Sequence, residues 1–126
     1  MKFVVQQTQL TTISVSKDLI GKACTLKASD PDGMCKTFEN LIVFEDDVSD
    51  DDKKKITDSG LKLVLFSELS TKGKEAMAAG GTSIKEPEPA DTFMLSYTSG
   101  TTGDPKGVKL THKMLINDAY ALGMRT

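Results

Sequence analysis

The chain has 126 residues, 38% of them apolar and 27% charged, a composition that suits one ordinary globular domain with a modest core. A formal charge of −2 and the absence of tryptophan supply no basic field for a nucleic-acid backbone, so nucleic acid is not expected as a partner. No apolar run reaches the roughly 20 residues that span a bilayer, and the start MKFVVQQTQ has neither a secretory apolar core nor the arginines of a transit peptide; an intracellular setting is expected.

Residues 11–15 (TTISV) read as a first strand. Ser16 then suits an N-cap, and the spacing of Ile20, Ala23 and Cys24 predicts one apolar face of a helix running to about Leu26. With two cysteines, Cys24 and Cys35, and no export signal, both thiols are expected reduced, Cys24 as a small helix-face hydrophobe. Residues 41–44 (LIVF) are continuously apolar, the pattern of a strand covered on both faces in a parallel sheet. The acidic run EDDVSDDDKKK reads as a solvated helix rather than a metal site. Ser49 and Asp52 resemble a capping box, acids precede lysines as the helix dipole favours, and neighbouring carboxylates on a helix diverge; Gly60 is the expected stop.

A third strand is expected over residues 61–66 (LKLVLF), with a helix over 67–79 ended by Gly80 and Gly81. Residues 84–91 (IKEPEPAD) hold two prolines and read as an exposed extended linker. A fourth strand over 92–97 (TFMLSY) delivers the chain into a glycine-rich loop. Beyond it Thr111 caps a helix over 112–122, with Leu115, Ala119 and Leu122 at helical spacing and Gly123 as the stop. The alternation predicts an α/β fold: a mainly parallel sheet of about four strands with helices in the crossovers.

The loop segment Tyr97–Val108, YTSGTTGDPKGV, carries three glycines, four hydroxyls on Thr98, Ser99, Thr101 and Thr102, and one mobile cation on Lys106. Strand, glycine loop and helix is a layout that holds phosphate on converging backbone N–H groups. It is not a Walker A loop: counting on from Gly100 to the glycine-lysine positions gives Pro105 and Lys106, and from Gly103 gives Val108 and Lys109. No G-x-G-x-x-G can be written through it either. On the residues alone, a polyphosphate grip and a glycine-rich turn with incidental hydroxyls both remain open. His112, the only histidine, falls one residue past the Thr111 cap, a place for a helix start rather than for catalysis.

YTSGTTGDPKGV followed by LTH resembles the phosphate-loop signature of the acyl-adenylate-forming (AMP-binding) superfamily. Asp104 resembles the long-chain fatty acyl-CoA synthetase branch, and VVQQTQLTTISVS, ENLIVFEDD and LKLVLFSEL are similar to that branch's segments in the same order. The resemblance implies that residues 1–126 are part of an adenylation domain, one subdomain of the synthetase large domain. It further implies that Thr98, Ser99, Gly100, Thr101, Thr102 and Gly103 cradle the phosphates of ATP, with Lys106 neutralising charge on the leaving pyrophosphate. ATP with Mg²⁺, a fatty acid and coenzyme A are the family's reactants, and a cytoplasmic setting or one peripheral to endoplasmic-reticulum or mitochondrial membranes goes with them. The family's downstream adenine-binding segment, ribose-binding aspartate and late lysine are not matched here. The chain alone is therefore expected to be inactive, either as a segment of such a ligase or as a non-catalytic relative serving as a nucleotide-binding or interaction subunit. Its open sheet surfaces are expected to self-associate or to meet a protein partner.

Overall fold

Leu41 and Val43 have no exposed surface, whereas Asn40 and Ile42 beside them are half-buried, so the second strand has one fully covered face. The computed structural model describes residues 2–30, 33, 35–80, 83, 85–99 and 103–123, and the chain divides into two compact units, Met1–Thr82 and Ser83–Thr126.

In the first unit a short helix α1 (Lys2–Thr8) precedes strand β1 (Thr12–Val15), and a 3₁₀ turn (Lys17–Leu19) leads into helix α2 (Ile20–Ala28). Strand β2 (Asn40–Val43), helix α3 (Asp50–Asp58), strand β3 (Lys62–Leu65) and helix α4 (Phe66–Ala78) follow. The strands lie in the order β1-β2-β3, all parallel, with Val15, Val43 and Leu65 in register along one row. Because the order never reverses, crossovers of one hand put both connecting helices on one face, and α2 and α3 do pack on each other. Ile20, Ala23, Cys24 and Leu26 of α2 and Ile56 of α3 close over Val15, Leu41 and Val43, with Phe38, Cys35 and Val5 filling the margin. Both cysteines are free and buried; burial, and after it the charge of Asp30, pushes the Cys35 thiol up.

The helix starts and stops follow local chemistry. Ser49 caps α3, its hydroxyl accepting the Asp52 N–H at 3.2 Å. At the other end Gly60 takes φ +78°, its N–H bonds the Thr57 carbonyl at 2.9 Å, and the Leu61 N–H bonds the Ile56 carbonyl at 3.1 Å. That is a Schellman stop, sealed by the buried pair Leu61 and Ile56. Ser16, by contrast, makes no side-chain cap; the Lys17 N–H bonds the Glu45 carboxylate instead.

Two expectations need correcting. The apolar run at 41–44 is fully covered on one face only, because α4 starts directly at Phe66 and buries none of its own residues. The fourth strand, β4 (Thr92–Thr98), belongs to the second unit and pairs antiparallel with a strand not expected there, β5 (Lys106–Thr111). The parallel sheet thus has three strands, and the layout after the loop is strand then helix, α5 (His112–Gly123). The physical reason lies in KGVKLT: Val108 and Leu110 alternate with Gly107 and Lys109, a period-two pattern that satisfies the β4 backbone as a helix could not. At the start of the second unit, the described residues 83 and 85–90 form neither helix nor strand and are exposed, with a turn at Pro89–Ala90.

The Schellman stop separates two kinds of cost. A Cβ at Gly60 meets nothing within 4 Å, so Gly60→Ala carries only the left-handed backbone penalty, about 1–2 kcal/mol. Ile56→Ala opens a cavity in the core at about 2–5 kcal/mol. Urea unfolding followed by circular dichroism should place Ile56→Ala as the less stable of the two; the reverse order would show that the left-handed turn, not the burial of Ile56, is the larger anchor of α3.

Candidate functional site

The last pair of the β4–β5 ladder is Thr98 with Lys106, preceded by Tyr97 with Gly107 and Ser96 with Val108. Directly opposed residues project from the same face of a ladder, so the Thr98 hydroxyl and the Lys106 ammonium stand together at the mouth of the loop. Both residues are exposed, as is Ser99 beyond Thr98. Gly103, also exposed, has φ +124°, a conformation that reserves its position for glycine. Gly100, Thr101 and Thr102 lie outside the described residues. Among the described residues the ion pairs are Lys2–Asp30, Lys17–Asp47, Lys53–Asp50 and Lys55–Asp52, which leave Lys106 without a carboxylate partner.

The helix after the loop does not serve the loop. Helix α5 starts a full strand beyond Lys106, about 17 Å away at roughly 3.4 Å per residue, at the opposite end of the hairpin. Its first N–H groups are also taken: His112 bonds the Asp91 carbonyl at 3.1 Å, Lys113 the Pro89 carbonyl at 3.0 Å, and Met114 the Thr111 hydroxyl at 3.4 Å. Any anion at the loop must therefore be held by loop groups and by Lys106, without the helix-terminus contribution that the expected layout would have given. The His112 ring stands edge-on to Phe93, centroids 5.3 Å apart, and packs at this same far end.

The sequence profile described as AMP-binding enzyme matches residues 3–126. The chain belongs to this family. This AMP-binding chain is 38% identical over 87 residues to fatty acyl-CoA synthetase B of Dictyostelium discoideum, covering 69% of itself and 12% of that protein. It is 28% identical over 119 residues to long-chain-fatty-acid–CoA ligase 5 of Mus musculus, covering 94% of itself and 16% of the ligase. The AMP-binding chain thus spans between about an eighth and a sixth of these relatives' length. Among solved structures it superposes on the adenylation domain of a carboxylate reductase from Mycobacterium chelonae with a TM-score of 0.61 at 18% identity, covering 92% of itself and 18% of that chain; the likeness is one of fold.

Among the described residues of the AMP-binding chain no group of three or more His, Cys, Asp or Glu side chains converges to hold a metal ion. The acidic run is instead held by its own lysines, Lys53 to Asp50 at 3.0 Å and Lys55 to Asp52 at 2.9 Å. No helix among the described residues is long and apolar enough to cross a membrane.

Hydrogen bonds from Lys55 and then Ser49 hold the Asp52 carboxyl below the usual carboxylate range. A depressed folded-state value means the stabilisation is present above the unfolded value, roughly pH 3.9, and is lost as pH falls through the folded one. In a pH titration by carboxyl ¹³C NMR, Lys55→Ala should move the Asp52 midpoint upward and Ser49→Ala should move it less. An unchanged midpoint in both would dissolve the cap network.

Proposed function

We propose that the β4–β5 hairpin is the ATP phosphate-binding loop of a long-chain fatty acid–CoA ligase, working in the step that forms acyl-adenylate and pyrophosphate. The observation that carries this reading is the pairing of Thr98 with Lys106 across the loop mouth, an exposed hydroxyl and an exposed cation with no carboxylate partner among the described residues, bridged by the glycine loop. Family membership and the fatty-acyl relatives support the same assignment.

In this reading Thr98, Ser99, Gly100, Thr101, Thr102 and Gly103 supply N–H and hydroxyl donors to the β- and γ-phosphates. Glycine at position 103 lets the backbone take a turn that other residues resist. Lys106 meets the negative charge that builds on pyrophosphate as the fatty-acid carboxylate attacks the α-phosphorus. A cation placed there stabilises the transition state more than bound ATP. Coenzyme A then accepts the acyl group in the complete ligase. Catalysis needs acid, nucleotide and metal aligned together, and this hairpin supplies donors for one of the three. These 126 residues by themselves are accordingly proposed to bind phosphate without forming acyl-adenylate.

Lys106→Ala should weaken pyrophosphate or ATP binding by about 1.5–3 kcal/mol, the range of a hydrogen bond to a charged group, with fold stability nearly unchanged. Calorimetric titration of both proteins in matched salt measures it, and equal affinities would reduce the loop to a glycine-rich turn. Pyrophosphate–ATP exchange with a long-chain fatty acid should stay at the no-protein level; exchange above it would refute the inactivity of the isolated chain.

A second reading, an interaction subunit without ligase activity, draws on one observation. In α5, Ile116, Tyr120 and Leu122 are 64%, 70% and 68% exposed, and no residue of the helix is buried. Under this reading sedimentation at several micromolar concentrations shows self-association, and a monomer throughout removes the second-copy version of it.

A further inference from the structure

Gly107 is the one glycine among those described for which an added Cβ would meet an aromatic ring: it would lie 3.0 Å from Cζ of Tyr97, and 3.2 Å from both Cε1 and Oη. Its φ is not in the left-handed region, so its backbone is one that other residues adopt; the ring, not the turn, is what crowds a side chain here, and it would have to give by a few tenths of an ångström to admit one. Tyr97 and Gly107 are directly paired across the ladder, and the next pair towards the loop is Thr98 with Lys106. A tyrosine laid over an opposed glycine covers the bare backbone and pins strand register. Register matters here more than in an ordinary hairpin, because a slip of one residue turns Lys106 to the other face of the ribbon, away from the Thr98 hydroxyl. The ladder carries a bulge between Thr92 and Met94 at its far end, so the pairs nearest the loop rely on their own contacts to stay in line with it.

We infer that Tyr97 is a positioning residue: seated on Gly107, it locks the hairpin in the register that sets Lys106 opposite Thr98 and so aims the cation at the phosphate site. The inference rests on the phosphate-loop reading above for its functional half, and on the ring–glycine contact alone for its structural half. It predicts that the residue type at 107 is limited by what the ring leaves free, whereas the type at 103 is limited by backbone conformation, two different reasons for glycine in one loop.

The test uses the whole chain and three variants, Gly107→Ala, Tyr97→Ser and Tyr97→Phe, each read by proton NMR and by calorimetric titration with inorganic pyrophosphate. In the unaltered protein the Gly107 α-protons should be shifted upfield by the ring, with cross-strand contacts between Thr98 and Lys106. Gly107→Ala and Tyr97→Ser should lose those contacts and weaken pyrophosphate binding by about tenfold, the scale of one lost hydrogen bond to a charged group. Tyr97→Phe, which keeps the ring, should retain the upfield shift, the contacts and the affinity within about twofold, as a stacking role requires and a role for the hydroxyl does not. Signals from the first unit should be unaltered in all three, which separates a register slip from global unfolding. Intact Thr98–Lys106 contacts in both disruptive variants would overturn the lock, and lost contacts with unchanged affinity would overturn its link to binding. If the unaltered protein fails to bind pyrophosphate while the ring shift and the contacts are present, the phosphate reading falls and the register lock stands.

Discussion

Antiparallel pairing between β4 and β5 constrains everything the second unit can do. The ladder joins six residue pairs from Thr92–Thr111 to Thr98–Lys106, and each pair fixes which side chains share a face. No residue of β4, β5 or α5 is fully buried, so this unit lacks the apolar core that usually enforces register. Backbone hydrogen bonds and a few cross-strand contacts must set it instead. The glycine loop inherits its geometry from that ladder: its two ends emerge from paired residues, and the span it has to bridge is decided before any ligand arrives.

The first unit is organised by a different constraint. Three parallel strands in unreversed order commit both crossover helices to one face, where residues of α2 and α3 pack with Val15, Leu41 and Val43 in the described core. The opposite face carries half-buried Ile42 and Val64, and at the strands' C-terminal ends the rings of Phe44 and Phe66 lie tilted against each other, centroids 5.6 Å apart, with about half of each residue exposed. An α/β sheet whose helices lie on one side keeps apolar surface on the other. The adenylation domain on which the chain superposes shares this fold over 18% of its own length.

Most of the first unit could be read from the sequence because its signals are local. The Ser49 cap, the Gly60 stop and the stripe of Ile20, Ala23 and Cys24 each depend on residues within a turn or two of one another. Strand β5 was hidden for the opposite reason. Its lysines and Gly107 imitate a loop, and the pattern that makes it a strand acquires meaning only once β4 lies beside it. The loop itself was legible as a family motif, whereas the crowding at Gly107 was not, since a tyrosine ten residues away supplies it. Period-two alternation across KGVKLT was the available signal.

The knot of hydrogen bonds at the foot of the hairpin has a mechanical side. The Glu88–Asp91 turn, closed by the Asp91 N–H on the Glu88 carbonyl and the Glu88 N–H on the Asp91 carboxylate, also receives the first two N–H groups of α5. Strand, returning strand and helix are thereby fastened at one point, opposite the loop. The ribbon is then a stiff arm about 20 Å long, taking roughly 3.4 Å per residue. Leverage follows from that length: a tilt of about 10° at the foot carries the tip through about 3.5 Å, roughly one residue's rise along a strand. Small changes in how the foot is seated are therefore amplified where Thr98 and Lys106 stand.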